Sequence, residues 1–185
     1  MILNIIDNFL SEKTFNDISN IIMDDDGKTN FMWHYVANIE NITPPSKKFV
    51  NLFYMVHLLY NLDHDEEYKD SFYEILDPIF SALVDMGITK CWRIKCNLYP
   101  NTEILREHAY HTDNEESHVA AIYSLNTCDG YTKFKDGTKV DSIANRLYFF
   151  DGGIDHASTT TTNVPARFNI NFNFAHSVES WRKNE

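Results

Sequence analysis

The 185-residue sequence is poor in cysteine, glycine, proline and basic side chains. Its three cysteines (Cys91, Cys96 and Cys128) form no CxxC pair, which argues against a disulfide framework or a structural zinc site and indicates a reducing compartment. Only 6 Gly and 5 Pro exclude a collagen-like or low-complexity chain. With 16 basic against 27 acidic residues, the net charge of −11 argues against a broad basic face for duplex nucleic acid.

Long apolar runs are also missing. The longest apolar-rich stretch, Phe49 to Leu62, is too short for a membrane span and contains Asn51 and His57. The N-terminus has no basic region followed by an apolar run, so it does not read as a signal peptide. We therefore expect a cytoplasmic protein without a membrane partner.

Aromatic residues, by contrast, are plentiful. The 13 Phe, 10 Tyr and 3 Trp supply enough apolar area for a packed core, which argues against disorder. The length fits one domain, 1–185, without a linker or an internal repeat. We divide it into a strand with supporting helices (1–87), a strand-rich core (88–175) and a C-terminal tail (176–185) in which Trp181 caps the core or meets a partner.

The front part is predicted to be mainly helical. Ile2–Ile6 has the pattern of a short strand, and Ser11 is a plausible N-cap for the helix that follows. A second helix is expected from about Asp70 to Met86, with Gly87 at its C-terminal end. Pro78 either kinks this helix or starts a new one after Asp77.

After residue 88 the pattern changes to short strands. Asp136-Gly137 between two of them predicts a two-residue hairpin turn. Strands at this spacing are typical of a sandwich or barrel, and we expect the front helices to cover one face of it. The six candidate strands are Trp92–Leu98, Val119–Leu125, Tyr131–Lys135, Thr138–Ser142, Arg146–Phe150 and Ala166–Phe174.

Histidines and carboxylates form the most informative cluster. In an extended chain His111 and Asp113 point to the same side, because residues i and i+2 share a face. His156 follows 45 residues later, after several predicted strands, so a returning strand can bring it to the same point. Two histidines and one carboxylate on one face of an ion are typical of non-haem Fe(II) oxygenases. The pair His111 and Asp113 alone is equally compatible with a solvated loop.

Arg167 adds a cation to a strand with one polar and one apolar face. Polar residues alternate with Phe168, Ile170, Phe172 and Phe174 along this run. A guanidinium fixed on a strand suits bidentate pairing with a carboxylate, although a surface charge with an acidic neighbour is the alternative. The polar face consists of Arg167, Asn169, Asn171 and Asn173.

Six parts of the sequence share an order and spacing: Ile5–Ser11, Asn97–Pro100, His111–Asn114, Ile122–Asn126, His156 and Arg167. Taken together, they resemble the Fe(II)- and 2-oxoglutarate-dependent oxygenases, in their prolyl-4-hydroxylase-like branch. The resemblance implies an α+β fold: a double-stranded β-helix (jelly-roll or cupin-like) barrel with N-terminal helices packed on one sheet. The small size and asparagine-rich sequence are similar to compact oxygenases of phage or bacterial genomes.

The same resemblance implies roles for individual residues. Arg167 would bind the distal carboxylate of 2-oxoglutarate with help from Tyr123, while Tyr99 and Asn97 would line its pocket; both tyrosines are alternatively ordinary core aromatics. The implied cofactors are Fe(II), 2-oxoglutarate and O2, with ascorbate supporting turnover. Counting iron, its carboxylate ligand, 2-oxoglutarate and Arg167, the site sums to zero charge. The implied iron ligands are His111, Asp113 and His156.

The implied reaction is hydroxylation of a C–H bond with release of succinate and CO2. Our first expectation for the substrate is a peptidyl proline, in a neutral or basic protein segment because the protein surface is acidic. A free amino acid or another small molecule is the second, while a nucleic acid is disfavoured because no basic, aromatic-interleaved stretch occurs. A non-catalytic jelly roll remains open, either metal-binding or metal-free and used for binding or structure. So does a closed zinc site built from His108, His111, Asp113 and His118.

Overall fold

The computed structural model describes residues 2–24, 27–37, 52–63, 66–88, 90–114 and 118–175. The helices are α1 (Glu12–Met23) and α2 (Asp77–Asp85), the latter preceded by a 3-10 turn at Tyr73–Leu76. The strands are β1 (Ile2–Ile6), β2 (His34–Val36), β3 (Tyr54–Asp63), β4 (Glu66–Lys69), β5 (Cys91–Pro100), β6 (Val119–Ser124), β7 (Tyr131–Phe134), β8 (Lys139–Asp141), β9 (Arg146–Asp151), β10 (His156–Ala157) and β11 (Ala166–Phe174).

The strands form two sheets. The major sheet has the order β1-β9-β6-β11-β5-β3-β2, with β4 paired to β3, and the minor sheet has the order β10-β7-β8. Single bridges attach the segment after β5 to the residues around β10, which lengthens the minor sheet. The architecture is the predicted double-stranded β-helix. The bridges join Asn101 to Thr161, Glu107 to Thr159 and His111 to His156.

Side chains of the major sheet alternate between two environments. The outer face packs against the helices, since Ile18 and Ile22 of α1 and Ile79 and Leu83 of α2 share one core cluster with the sheet. The predicted covering of one face by helices is therefore confirmed. The inner face contributes to a smaller cluster that includes residues of the minor sheet: Ala120, Ile122, Phe134, Val140, Tyr148 and Phe150.

The helix ends follow the sequence signals. The Ser11 hydroxyl accepts a hydrogen bond from the Thr14 amide, as expected of an N-cap. Pro78 lies in the first turn of α2, where its missing N–H costs nothing. The second alternative predicted for Pro78 is thus the observed one, and a continuous helix from Asp70 is wrong. Gly87 follows the helix at φ +80°, and its amide donates to the Val84 carbonyl.

The front part contains more strand than the sequence predicted. Strands β2, β3 and β4 extend the major sheet beyond β5. In β3, a bulge between Leu58 and Tyr60 shifts the register, and buried residues occur on both sides of it. Period-two alternation is therefore absent from the sequence of this strand.

The predicted hairpin between β7 and β8 is confirmed, but its loop is longer by one residue. The Phe134 amide donates to the Thr138 carbonyl, so residues 135–137 form the loop. Gly137 occupies the left-handed region at φ +90°, as in three-residue hairpin loops. Within the described ranges, no helix is long and apolar enough to cross a bilayer. The predicted tail, 176–185 with Trp181, lies outside these ranges.

Candidate metal centre and adjoining polar pocket

His111, Asp113 and His156 converge at one end of the space between the two sheets. Each offers a ligand atom, and these atoms lie within 4.8 Å of one another. His156 Nε2 is 4.0 Å from Asp113 Oδ2, and the two imidazole rings are 4.6 Å apart between centroids. The predicted convergence of these three residues is therefore observed.

Backbone pairing explains this convergence. The amides of His111 and His156 donate to each other's carbonyls at 3.0 and 2.9 Å, which places the two residues side by side on neighbouring strands. The Asp113 amide donates to the Gly152 carbonyl at 3.1 Å. His156 Nδ1 donates to the Ile154 carbonyl at 2.9 Å, so its Nε2 lone pair faces the cluster.

The charge states of the cluster suit a divalent cation. Burial is the largest cause that lowers the pKa of His111 to about 4, so this imidazole is neutral at pH 7. Burial alone would raise the pKa of Asp113, but the charges of Arg93 and Lys95 and a hydrogen bond from Asn171 contribute to holding the pKa below its usual value. Neutral imidazole and ionised carboxylate are the forms that bind metal, and this donor set fits Fe(II).

Three side chains of the major sheet orient the Asp113 carboxylate. Arg93 Nη2 donates to Oδ1 at 3.2 Å, and Asn171 Nδ2 donates to Oδ2 at 3.1 Å. The Asn173 amide satisfies its neighbours when its nitrogen faces Asp113 Oδ2 at 3.2 Å and its oxygen faces Arg93 Nε at 3.0 Å. No role was predicted for Arg93, whereas Asn171 and Asn173 belong to the polar face predicted for β11.

His118 packs behind this carboxylate against Gly152. In the same amide orientation, Asn173 also donates to His118 Nε2 at 3.1 Å. A Cβ on Gly152 would lie 2.3 Å from His118 Nε2, so only glycine permits this approach. His108 pairs separately with Ser158 through Nδ1 at 2.9 Å. In the part of the chain that the structure describes, the potential metal cluster contains neither His108 nor His118, so the predicted zinc set is wrong.

Arg167 is fully buried and faces the same interior. Its Nη1 donates to the Tyr131 carbonyl at 2.8 Å and its Nη2 to Thr132 Oγ1 at 3.0 Å, while its Nε has no partner. Among the described residues no carboxylate forms an ion pair with it, so the alternative of a surface charge with an acidic neighbour is wrong. A buried guanidinium without a counter-ion is costly, which indicates that the site takes an anion.

Other buried polar atoms near Arg167 also find no partner among the residues that the structure describes. These are Asn97 Oδ1, Ser124 Oγ and His108 Nε2. Asn97 and Ser124 lie directly opposite Asn169 on the two neighbouring strands, so all three share one row of the inner face. Of these atoms, the Ser124 hydroxyl can donate a hydrogen bond, and so can His108 Nε2 when it carries the proton. Together with Arg167 these donors fit a dicarboxylate such as 2-oxoglutarate, whereas Asn97 Oδ1 can only accept from a ligand or a water molecule.

The two predicted tyrosines lie on opposite faces of the major sheet. Tyr99 lies beneath Arg167, whose Cζ is 5.5 Å from the ring centroid. Tyr123 instead packs against Phe9 and Phe15, on the helix side, and its hydroxyl donates to Asn145 Oδ1 at 2.7 Å. Its predicted place beside the cosubstrate is therefore wrong, because adjacent residues of a strand point to opposite faces.

A different tyrosine, which the sequence did not single out, takes part in this pocket. Tyr148 of β9 is fully buried in the inner cluster. Its hydroxyl donates at 2.7 Å to Thr132 Oγ1, the same atom that accepts from Arg167. On β6, Ser124 rather than Tyr123 faces inward.

Comparison with known proteins supports the fold. The sequence matches no family model and no curated protein. The structure is similar to a prolyl hydroxylase from Trichoplax adhaerens in complex with a peptide fragment of the hypoxia inducible factor oxygen degradation domain (TM-score 0.64, 16% identity, 97% of this chain and 85% of that chain covered). It is also similar to a Pseudomonas putida prolyl-4-hydroxylase (TM-score 0.57, 15% identity, 94% of this chain and 91% of that chain covered). A third similar structure is a viral collagen prolyl hydroxylase from Paramecium Bursaria Chlorella virus-1 (TM-score 0.51, 12% identity, 92% of this chain and 88% of that chain covered).

Proposed function

We propose that this chain, which shares the fold of prolyl hydroxylases, is an Fe(II)- and 2-oxoglutarate-dependent dioxygenase that hydroxylates a C–H bond. The observation that carries the proposal is the pairing of two features in one interior. His111, Asp113 and His156 form a set of metal ligands. Arg167 is buried in the same interior, no carboxylate of the described ranges pairs with it, and a carboxylate of the cosubstrate would supply the missing charge.

Each part of the pocket has a task in this proposal. Iron and 2-oxoglutarate, when bound, supply the oxidative chemistry, with succinate and CO2 as co-products. Arg93, Asn171 and Asn173 fix the orientation of the Asp113 carboxylate, which leaves less reorganisation for metal binding. Thr132 and the Tyr131 carbonyl hold the Arg167 guanidinium in the plane that a carboxylate needs.

Apolar residues close the pocket against water. Ile122, Phe134 and Phe150 are buried in the cluster between the two sheets. Phe150 and Phe134 also contact the His156 ring, with centroids 4.9 and 6.2 Å away. Exclusion of water strengthens the electrostatic interactions inside the pocket and limits side reactions.

As substrate we propose a peptidyl proline. The support is the likeness to three prolyl hydroxylases, one of which holds a peptide fragment. A cytoplasmic location is proposed on the free thiols of Cys91, Cys96 and Cys128. Succinate formation with proline-containing peptides, in the presence of ascorbate, tests the substrate; no stimulation by any peptide would count against it.

Anaerobic spectroscopy tests the central proposal directly. Protein mixed with Fe(II) and 2-oxoglutarate is expected to show the weak visible charge-transfer band of a chelated cosubstrate. His111→Ala removes one ligand and is expected to abolish the band. His34→Ala, which removes an exposed histidine of β2, serves as the matched control and should keep it. Absence of the band in the unsubstituted protein would contradict the proposed function.

A further inference from the structure

Besides Arg167 and Arg93, the pocket contains a third basic side chain, Lys95, on the inner face of β5. It has no task in the proposed reaction. Lys95 is two residues from Arg93 and from Asn97, so all three side chains share that face. The register places it directly opposite Asn171 on one side and Leu58 on the other. It therefore lies at the metal end of the pocket, on the side where β3 continues the sheet.

The ammonium group of Lys95 has no counter-ion in the described ranges of the chain. Its Nζ lies 5.9 Å from the centroid of the Tyr54 ring. Asp113, the carboxylate whose charge acts on it, is already held by Arg93 and Asn171. Burial and the charge of Arg93 lower the pKa of Lys95 to about 8, although the negative charge of Asp113 raises it in part. The ammonium group is therefore still mostly protonated at pH 7.

Counting Lys95 changes the charge balance of the pocket. The sequence-based count of zero included iron, Asp113, 2-oxoglutarate and Arg167. Arg93 and Lys95 also face this interior, and each adds one positive charge. The loaded pocket therefore carries an excess of positive charge, which favours a substrate with a negative group.

The strand positions separate Lys95 from the cosubstrate cation. Arg167 lies opposite Tyr99, whereas Lys95 is four residues earlier on the same strand, or about 13 Å at 3.3 Å per residue. Tyr54 and Leu58, beside Lys95 on β3, are only partly buried, so this side of the pocket is accessible from solvent.

We propose that Lys95 binds a carboxylate of the substrate that is to be hydroxylated. The enzyme is then selective for substrates with an anionic group next to the reacting carbon. This inference rests on the proposed function and specifies its substrate class. It replaces, for the pocket itself, the neutral or basic segment expected from the surface charge. The carboxylate can come from an acidic side chain beside a peptidyl proline or from the free carboxylate of a small amino acid.

Direct binding tests the inference without turnover. Anaerobic protein loaded with Mn(II) and 2-oxoglutarate is titrated with two probe pairs: proline peptides with Glu or Gln next to the proline, and L-proline or prolinamide. In one of the two pairs, the probe with the carboxylate is expected to bind about tenfold more tightly than its amide counterpart, as for a partly desolvated ion pair. Discrimination in the peptide pair indicates a side chain, and in the amino-acid pair a small molecule.

Substitution of the lysine assigns the effect. Lys95→Met keeps the aliphatic stem and should remove the discrimination, while Lys95→Arg should keep part of it. Lys139→Met is the matched control, because Lys139 also lies over a tyrosine ring, that of Tyr131, but on an exposed position of β8. This control should leave the discrimination unchanged.

Three outcomes would overturn the inference. One is equal binding of both members in each pair, or failure of all four probes to bind at millimolar concentration. Another is discrimination that survives Lys95→Met. The third is a tenfold loss of 2-oxoglutarate affinity in Lys95→Met without a change in discrimination, which would assign the lysine to the cosubstrate. Loss of the charge-transfer band in unsubstituted protein, by contrast, contradicts the proposed function itself.

Discussion

At the scale of single residues, the burial of the Arg167 guanidinium determines which kind of ligand the pocket can bind. Its guanidinium is anchored by the Tyr131 carbonyl and by Thr132 Oγ1, yet one nitrogen and the positive charge remain unsatisfied. Gly130 makes this placement possible, since a Cβ there would lie 2.8 Å from Arg167 Cδ. The protein thus accepts a buried charge, and a bound anion offsets the cost.

Removing this charge should weaken cosubstrate binding. We expect Arg167→Ala to lower the affinity for 2-oxoglutarate about 100-fold, since a charged pair in a buried pocket is worth roughly 2–5 kcal/mol. Arg167→Lys keeps the charge but loses the planar fork, so an intermediate affinity is expected. Calorimetric titration of Mn(II)-loaded, anaerobic protein measures both. Unchanged affinity in the alanine variant would assign Arg167 a structural role only.

The two buried tyrosines give a paired prediction. Tyr123→Phe loses a hydrogen bond to Asn145 outside the pocket, so the free energy of unfolding should fall by about 1 kcal/mol while 2-oxoglutarate affinity stays constant. Tyr148→Phe removes a donor to Thr132, which positions Arg167, so affinity should fall about threefold, or roughly 0.7 kcal/mol. Urea unfolding and calorimetry separate the effects. The reverse pattern would restore Tyr123 to the cosubstrate site.

At the scale of elements, the turn between β9 and β10 supports the metal ligands. The Gly152 carbonyl accepts from the Asp113 amide, and the Gly152 amide donates to the His118 carbonyl. The close approach of the His118 ring leaves no space for a side chain on this turn. The position of Asp113 thus depends on a residue that binds no metal.

A substitution in this turn should weaken metal binding indirectly. Gly152→Ala places a methyl group against the His118 ring, and the resulting shift should lower Mn(II) affinity about tenfold. The double variant with His118→Ala makes room for the methyl group and should recover part of the loss. Metal titration of the two single variants and the double variant forms a complete cycle. Purely additive losses would show that the steric conflict is not the cause.

The sequence predicted elements wherever one face differs from the other. Strand β11 alternates polar and apolar residues, and its bounds were predicted as observed. Strand β6 is buried along its whole length, so its residues carry no signal of which face is inward. Only its pairing with β11, which sets Ser124 opposite Asn169, shows that Tyr123 points to the helices. The prediction for Tyr123 was thus wrong because the sequence alone does not reveal the register between β6 and β11.

The metal ligands of the candidate site could be predicted from the sequence, but the residues that orient the Asp113 carboxylate could not. His111 and Asp113 are two positions apart in an extended chain, and this local spacing is visible in the sequence. Arg93 contacts Asp113 across 20 residues of chain, and Asn171 does so across 58. Such contacts depend on long-range strand pairing, which sequence patterns do not specify.

At the scale of the whole molecule, charge is separated between surface and pocket. The chain carries a net charge of −11, yet Arg93, Lys95 and Arg167 all face the interior of the barrel. Local cations with low-dielectric walls dominate the potential that a ligand meets inside. The total charge therefore describes the surface, and it says little about what the pocket binds.

Acid should destabilise the metal-free protein through its buried histidines. Burial lowers the pKa of both His108 and His111 from 6.5 to about 4. Between these values the unfolded chain binds more protons than the folded one, so the free energy of unfolding decreases as the pH falls through this window, and it is insensitive to these groups above it. We expect a loss of about 1–2 kcal/mol per histidine from about pH 7 to about pH 5, in urea unfolding of chelator-treated protein. His108→Gln should remove about half of this slope, whereas an unchanged slope would mean that other groups cause it.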